Sequence, residues 1–98
     1  MRRAARTDDN QSDIVKDLRK IPGISVCVGH DDILVGYCGD TYWFEIKRPA
    51  AISKRTGDVK ASEITQSEQD RLDTWRGHYS IAWKLDQVLN EIGFLTND

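Results

Sequence analysis

Two carboxylates and one ammonium group bracket the stretch Asp32 to Lys47, DILVGYCGDTYWFEIK: Asp32 opens a first hydrophobic run and Glu45-Ile46-Lys47 closes a second. Carboxylate oxygens brought together are hard ligands suited to Mg2+ or Mn2+, and an amine beside them can orient a water or deprotonate it. That chemistry needs all three side chains to meet. Between the runs lies Cys38-Gly39-Asp40-Thr41, and a Gly-Asp pair flanked by Val, Tyr, Trp and Phe has the composition of a two-residue hairpin loop. Taking Gly39 and Asp40 as the loop sets Cys38 opposite Thr41, Leu34 opposite Glu45 and Asp32 opposite Lys47. Side chains alternate faces along a strand, so Asp32, Glu45 and Lys47 then share one face, within a diagonal of each other. A one-residue slip or a bulge would send one of them to the other face. Taken alone, Glu45 and Lys47 read better as a solvated ion pair at a strand end.

The 98 residues suffice for one domain with a single modest core. With 39% hydrophobic and 31% charged residues the composition is that of a soluble globule. No apolar run approaches the roughly 20 residues that span a bilayer, so no membrane role is expected. The opening MRRAARTDDNQSD carries charge with no apolar segment behind it, so no secretion signal is read and a cytoplasmic protein is expected. Cys27 and Cys38 lack CxxC spacing and fall in predicted strands, which suits small buried hydrophobes. A net charge of −2 argues against a general polyanion binder. Eight of the 14 basic residues are nevertheless grouped, as Arg2, Arg3 and Arg6 and as Lys47, Arg48, Lys54, Arg55 and Lys60. Such patches could hold phosphates, and a solvated tail and loop explain them equally well.

The elements that would position the three groups follow from periodicity. Ile14, Val15, Leu18 and Ile21 form one apolar stripe, predicting a helix over about residues 9–20, capped by Asp8 or Asp9 and ended by Pro22-Gly23. Ile24 to Val28 reads as a β-branched strand, and Gly29-His30-Asp31 turns it into the hairpin, giving an antiparallel meander. The face away from the acids would carry Ile33, Val35, Tyr42, Phe44 and Ile46 as core. Residues 48–62, RPAAISKRTGDVKAS, lack periodicity and read as an exposed basic loop, with residues 1–8 as a flexible basic N-terminus. Thr65-Gln66-Ser67-Glu68 has capping-box form and opens a helix expected to bury Leu72 and Trp75 and to stop at Gly77. Tyr79, Ile81, Trp83 and Leu85 alternate with Ser80, Ala82 and Lys84 as a half-buried strand, parallel to the third by a right-handed crossover. Asp86 would cap a last helix through Val88, Leu89 and Ile92, ended by Gly93. The expected fold is α/β (α+β), αβββαβα, with a central mixed four-stranded sheet flanked by helices.

These residues carry a resemblance. A first helix, an acid opening the second strand, Glu-x-Lys ending the third and a helix-strand after it resemble the PD-(D/E)XK nuclease superfamily, of restriction-endonuclease-like fold. GHDDILVGYCGDTYWFEIK, ITQSEQDRLDTW and RGHYSIA resemble the small stand-alone VRR-NUC domains of phages and prophages, akin to Holliday-junction resolvases, over nearly the whole chain. The resemblance implies a metal-dependent DNA endonuclease that hydrolyses phosphodiester bonds in flap or junction DNA, in the host cytoplasm if phage-encoded. It implies a homodimer, because two strands need two centres. It implies Mg2+ or Mn2+ held by Asp32, Glu45 and the backbone carbonyl of Ile46. The chemistry fits, since a hard cation both neutralises phosphate charge and generates hydroxide near neutral pH, while Lys47 would position the water and stabilise the pentavalent phosphate. The alternative is a nuclease-fold module of little or no activity that binds DNA or a phage replication protein.

Two positions depart from the family pattern. Asp31 stands where the family has Pro; alternation puts it on the opposite face and the motif selects Asp32, leaving Asp31 a supporting role. Gln11 stands where related resolvases carry a Glu on the first helix. Its amide oxygen could ligate metal or hold a water, but it brings no charge, so a second metal would be held weakly; Gln11 boxed with an Asp8 cap is an equal reading. The family also places a Gln or an acid of the second helix toward the centre, which is Glu68 or Gln69 here, although Glu68 is equally the capping-box acid. His30 reads as a turn residue near the site that could touch phosphate, and a His-based phosphohydrolase would need more than His30 and His78. Arg48, Lys54, Arg55 and Lys60, with Arg2, Arg3 and Arg6, are the expected phosphate contacts, positioning rather than reading sequence. Trp43, Trp75 and Trp83 are not spaced like a base-stacking ladder and read as packing residues.

Overall fold

The computed structural model describes residues 9–30 and 32–95. Helix α1 (Asp9–Arg19) buries Ile14, Val15 and Leu18, the residues its 3.6-residue period puts on one face. After Pro22, Gly23 takes φ 91° and reverses the chain into β1 (Ile24–Val28). Strands β2 (Asp32–Tyr37) and β3 (Asp40–Ile46) form the hairpin, followed by α2 (Gln66–Thr74), β4 (His78–Ala82) and α3 (Leu85–Glu91). The sheet runs β1-β2-β3-β4, an antiparallel meander with β4 added parallel to β3. Among the described residues the fold is thus α+β, with three α-helices and a mixed four-stranded sheet in the αβββαβα order read from the sequence.

One face of the sheet makes the core. Ile33, Val35, Tyr42, Phe44 and Ile46 pack with Ile14, Val15 and Leu18 of α1, with Val88 and Leu89 of α3, and with Ile92 just beyond it. Leu18, Ile33, Val35, Phe44 and Val88 are less than 2% exposed, and burying each such side chain contributes roughly 1.5–3 kcal/mol. With that set committed to one face, Asp32, Trp43, Glu45 and Lys47 are driven to the other. Asn10 fixes the start of α1 to the sheet, donating from Nδ2 to the carbonyls of Lys47 (2.7 Å) and Trp83 (3.3 Å).

Several local expectations are corrected. The hairpin loop is Cys38-Gly39, not Gly39-Asp40: φ is positive at both (52° and 86°), the condition for a turn whose twist matches its strands. Tyr37 therefore faces Asp40, Leu34 faces Trp43, and Asp32 faces Glu45 rather than Lys47. The pairing moves by two positions, so the face of every side chain is preserved. Cys38 lies in this turn rather than a strand, and Cys27 and Cys38 are both exposed rather than buried. Helix α2 ends at Thr74, short of Gly77, and leaves Leu72 (40%) and Trp75 (52%) exposed, because it turns Glu68 inward instead. Residues 48–62 are ordered by short-range contacts that leave no period: a 3-10 turn at Pro49–Ala51, an Ile52–Val59 bridge, and a second turn at Ala61–Glu63. Along β4 the small residues take the core side through Ala82, and Tyr79 and Ile81 face α2. Asp86 sits inside the first turn of α3; Lys84 is the N-cap, and Gln87 Oε1 accepts from the backbone N–H of Trp83 (2.7 Å) and Lys84 (3.2 Å). Asp8 and residues 1–8 lie outside the described residues.

Candidate functional site

The site lies on the sheet face opposite the core, where β2 begins and β3 ends. Asp32 and Glu45 are direct cross-strand partners, and Lys47 follows on the same face. Trp43 Nε1 donates to Asp32 Oδ2 at 2.8 Å. The other carboxylate oxygen of Asp32 lies against Gly29, where any Cβ would overlap it, and the Gly29 N–H donates to the Asp32 carbonyl at 2.8 Å. Glycine at 29 thus lets the turn close over the carboxylate.

Helix α2 supplies the opposite wall. Lys47 Nζ donates to Glu68 Oε1 at 2.8 Å, with side-chain exposures of 15% and 9%. The same Glu68 oxygen accepts from Thr65 N (3.0 Å) while Thr65 Oγ1 accepts from Glu68 N (3.2 Å). The two readings of Glu68, capping-box acid and site residue, therefore hold together. Gln69 points away and donates to Asp73 Oδ1 at 3.0 Å. One helical turn on from Glu68, Arg71 NH1 stands 3.8 Å from Glu45 Oε1, its guanidinium over the rings of Trp43 (4.8 Å) and Tyr79 (5.8 Å). The Tyr79 hydroxyl donates a long hydrogen bond (3.4 Å) to Glu45 Oε1.

Glu45 is only 6% exposed, and this sets its proton affinity. Burial first, then the charge of Glu68 and a hydrogen bond shared with it, push its carboxyl up to about 7; Lys47 partly offsets this and Asp32 adds to it. Burial would raise Glu68 as well, but hydrogen bonds from Lys47 and Thr65 outweigh it and hold Glu68 below its ordinary value. Three carboxylates thus face two cations, and Glu45 is the member whose ionisation the cluster disfavours.

No family model, curated protein or solved structure matches the chain.

Among the described residues no group of three or more His, Cys, Asp and Glu is arranged to hold a metal. With Glu68 committed to Lys47 and Thr65, the carboxylates of the cross-strand partners Asp32 and Glu45 are the remaining acidic oxygens described on this face. Gln11 is buried (6% exposed) and lines a cleft with Val15, Arg19 and Val28, but no hydrogen bond ties it to the three acids. His30 is exposed in the turn after β1. Arg48, Lys54, Arg55 and Lys60 are exposed along the segment that follows Lys47, and Lys54 and Lys60 line one shallow cleft. Asp31, Arg2, Arg3 and Arg6 lie outside the described residues, and among those described no helix is long and apolar enough to cross a membrane. Sequence reasoning missed Trp43, Arg71 and Tyr79. The signal for Arg71 was its spacing, three residues from Glu68 on the same helix face; Trp43 shares the strand parity of Glu45.

Proposed function

We propose that the chain is a metal-dependent DNA endonuclease, cutting phosphodiester bonds of branched, flap or junction DNA as a homodimer. The observation that carries this reading is the direct pairing of Asp32 with Glu45, with Lys47 beside them on a face fixed by the core. Mg2+ or Mn2+ bound between Asp32 and Glu45, with the Ile46 carbonyl, would neutralise phosphate charge and acidify a water. The high proton affinity of Glu45 supports such a ligand set, because a cation would relieve the repulsion that Glu68 and Asp32 impose. Glu68 steadies the Lys47 ammonium as a donor for the attacking water and for a phosphoryl oxygen. Arg71 holds the carboxylate of Glu45 from the opposite side. Arg48, Lys54, Arg55 and Lys60 would grip flanking phosphates.

The test is a cleavage panel over duplex, flap, fork and four-way-junction DNA with Mg2+ or Mn2+: branched substrates should be cut, and no cleavage of any would refute the proposal. Two observations favour a second reading, a nuclease-fold module that binds DNA or a replication protein without cutting. Lys47 is already closed in a short ion pair with Glu68, and among the described residues no group of three or more His, Cys, Asp and Glu could hold a metal. Calorimetry with Mn2+ separates the two: no binding, or binding indifferent to Asp32→Ala, supports the non-catalytic module.

A further inference from the structure

Trp75 is the most exposed of the large hydrophobic residues described, at 52%, yet it is held in place. It caps the C-terminus of α2, and its indole meets that of Trp43 edge to face, centroids 5.0 Å apart at 81°. Its indole nitrogen also lies close to Gly77, where an added Cβ would come within 2.9 Å of it. An exposed aromatic fixed by its neighbours has little rotamer freedom left to lose on binding. The surroundings narrow what it could bind. Helix α2 covers β3 and β4 through Glu68 and Arg71, while on β1 and β2 the same sheet face leaves Ser25, Cys27 and Leu34 exposed. Trp75 stands where the covered half of the sheet meets this open half. Two guanidinium groups accompany it: Arg71 over the Trp43 ring, and Arg76, exposed, immediately after it in sequence. The platform also abuts the acids, because the Trp43 ring that touches Trp75 donates its N–H to Asp32.

We propose that Trp75 stacks on an unpaired nucleobase of DNA, with Arg71 and Arg76 drawing in the adjoining phosphates. Aromatic faces combined with cationic side chains hold unpaired strands without reading their sequence, because every base presents a π-face. The inference deepens the nuclease reading and rests on it for its meaning: the substrate would carry unpaired nucleotides beside the scissile bond, as a flap does and a continuous duplex does not.

The test is fluorescence anisotropy with the full chain in EDTA, so that nothing is cut. The probes are a labelled flap DNA, the same flap with abasic nucleotides, and a continuous duplex. The wild type should bind the intact flap on the order of tenfold more tightly than the abasic one. Trp75→Ala should lose that difference by weakening intact-flap binding alone, Trp75→Phe should keep part of it, and duplex affinity should not change. Equal affinity of the wild type for intact and abasic flaps, an undiminished abasic penalty in Trp75→Ala, or no DNA binding would each overturn the inference. So would a dimer that falls apart on Trp75→Ala, since the ring would then lie between two copies. Cleavage in Mg2+ keeps the two proposals apart. Abasic-sensitive binding without cleavage sinks the nuclease reading and leaves the stacking; cleavage without abasic sensitivity does the reverse.

Discussion

Replacing Glu45 by Gln removes one titration and keeps the volume of the side chain. Glu45 titrates near 7 in the folded protein, against 4.5 for an ordinary carboxyl. The native state therefore holds a proton that the unfolded chain gives up. The stability that this contributes is full below pH 4.5 and is lost as pH rises through 7. At about 1.4 kcal/mol per unit the whole swing is roughly 3 kcal/mol, of which roughly 2 falls between about pH 5.5 and about pH 8.5. With the side chain 8% exposed, solvent screening takes little from that figure. Glu68 acts with the opposite sign. Its lowered value contributes stability above the ordinary carboxyl range that is lost at more acid pH, outside this window. Urea denaturation should find the wild type roughly 2 kcal/mol less stable at the alkaline end than at the acid end, and Glu45→Gln nearly flat. Saturating Mn2+ should suppress the wild-type loss, because it binds the ionised carboxylate. Equal pH slopes in wild type and variant would refute the account of Glu45 as the buried, repelled member of the cluster.

Two further substitutions probe the neighbours. Glu68→Ala strips Lys47 of its partner and α2 of its capping box, and should cost on the order of 3 kcal/mol or more in urea denaturation; a loss below about 1 kcal/mol would mean the pair is solvated rather than structural. Trp43→Phe removes the hydrogen bond that orients Asp32. It should weaken Mn2+ binding by calorimetry roughly 10–100-fold, and Asp32→Ala should abolish that binding. An unchanged affinity in either variant would take Asp32 out of the ligand set.

The order of elements and the core face were legible because both are written in periodicity. The 3.6-residue stripe of α1 and the alternation from Ile33 to Ile46 each have one buried solution. The facing of Asp32, Glu45 and Lys47 survived an error in the turn for the same reason. Placing the loop at Gly39-Asp40 shifted the pairing by two positions, which changes partners and keeps faces. The turn itself was misread because a cysteine took the positive φ that sequence reasoning assigns first to Gly, Asn or Asp. Helix α2 failed differently. Its apolar residues suggested a buried stripe, but Lys47 and Glu45 on the sheet draw Glu68 and Arg71 inward, and Leu72 and Trp75 are left in solvent. Nothing in a helical pattern announces that its buried side will be charged. The shift at Glu45 was equally hidden, since it arises from burial and from Glu68, 23 positions away in the chain.

The central proposal is that Asp32, Glu45 and Lys47 cut DNA with a divalent metal. Its most direct measurement is single-turnover cleavage of a labelled branched DNA in Mg2+ or Mn2+ by the wild type, Glu45→Ala and Lys47→Ala, each first shown to be folded. The wild type should cut, EDTA should stop it, and each variant should lose on the order of a hundredfold or more in rate. Cleavage that continues at the wild-type rate in Glu45→Ala or Lys47→Ala would contradict the account.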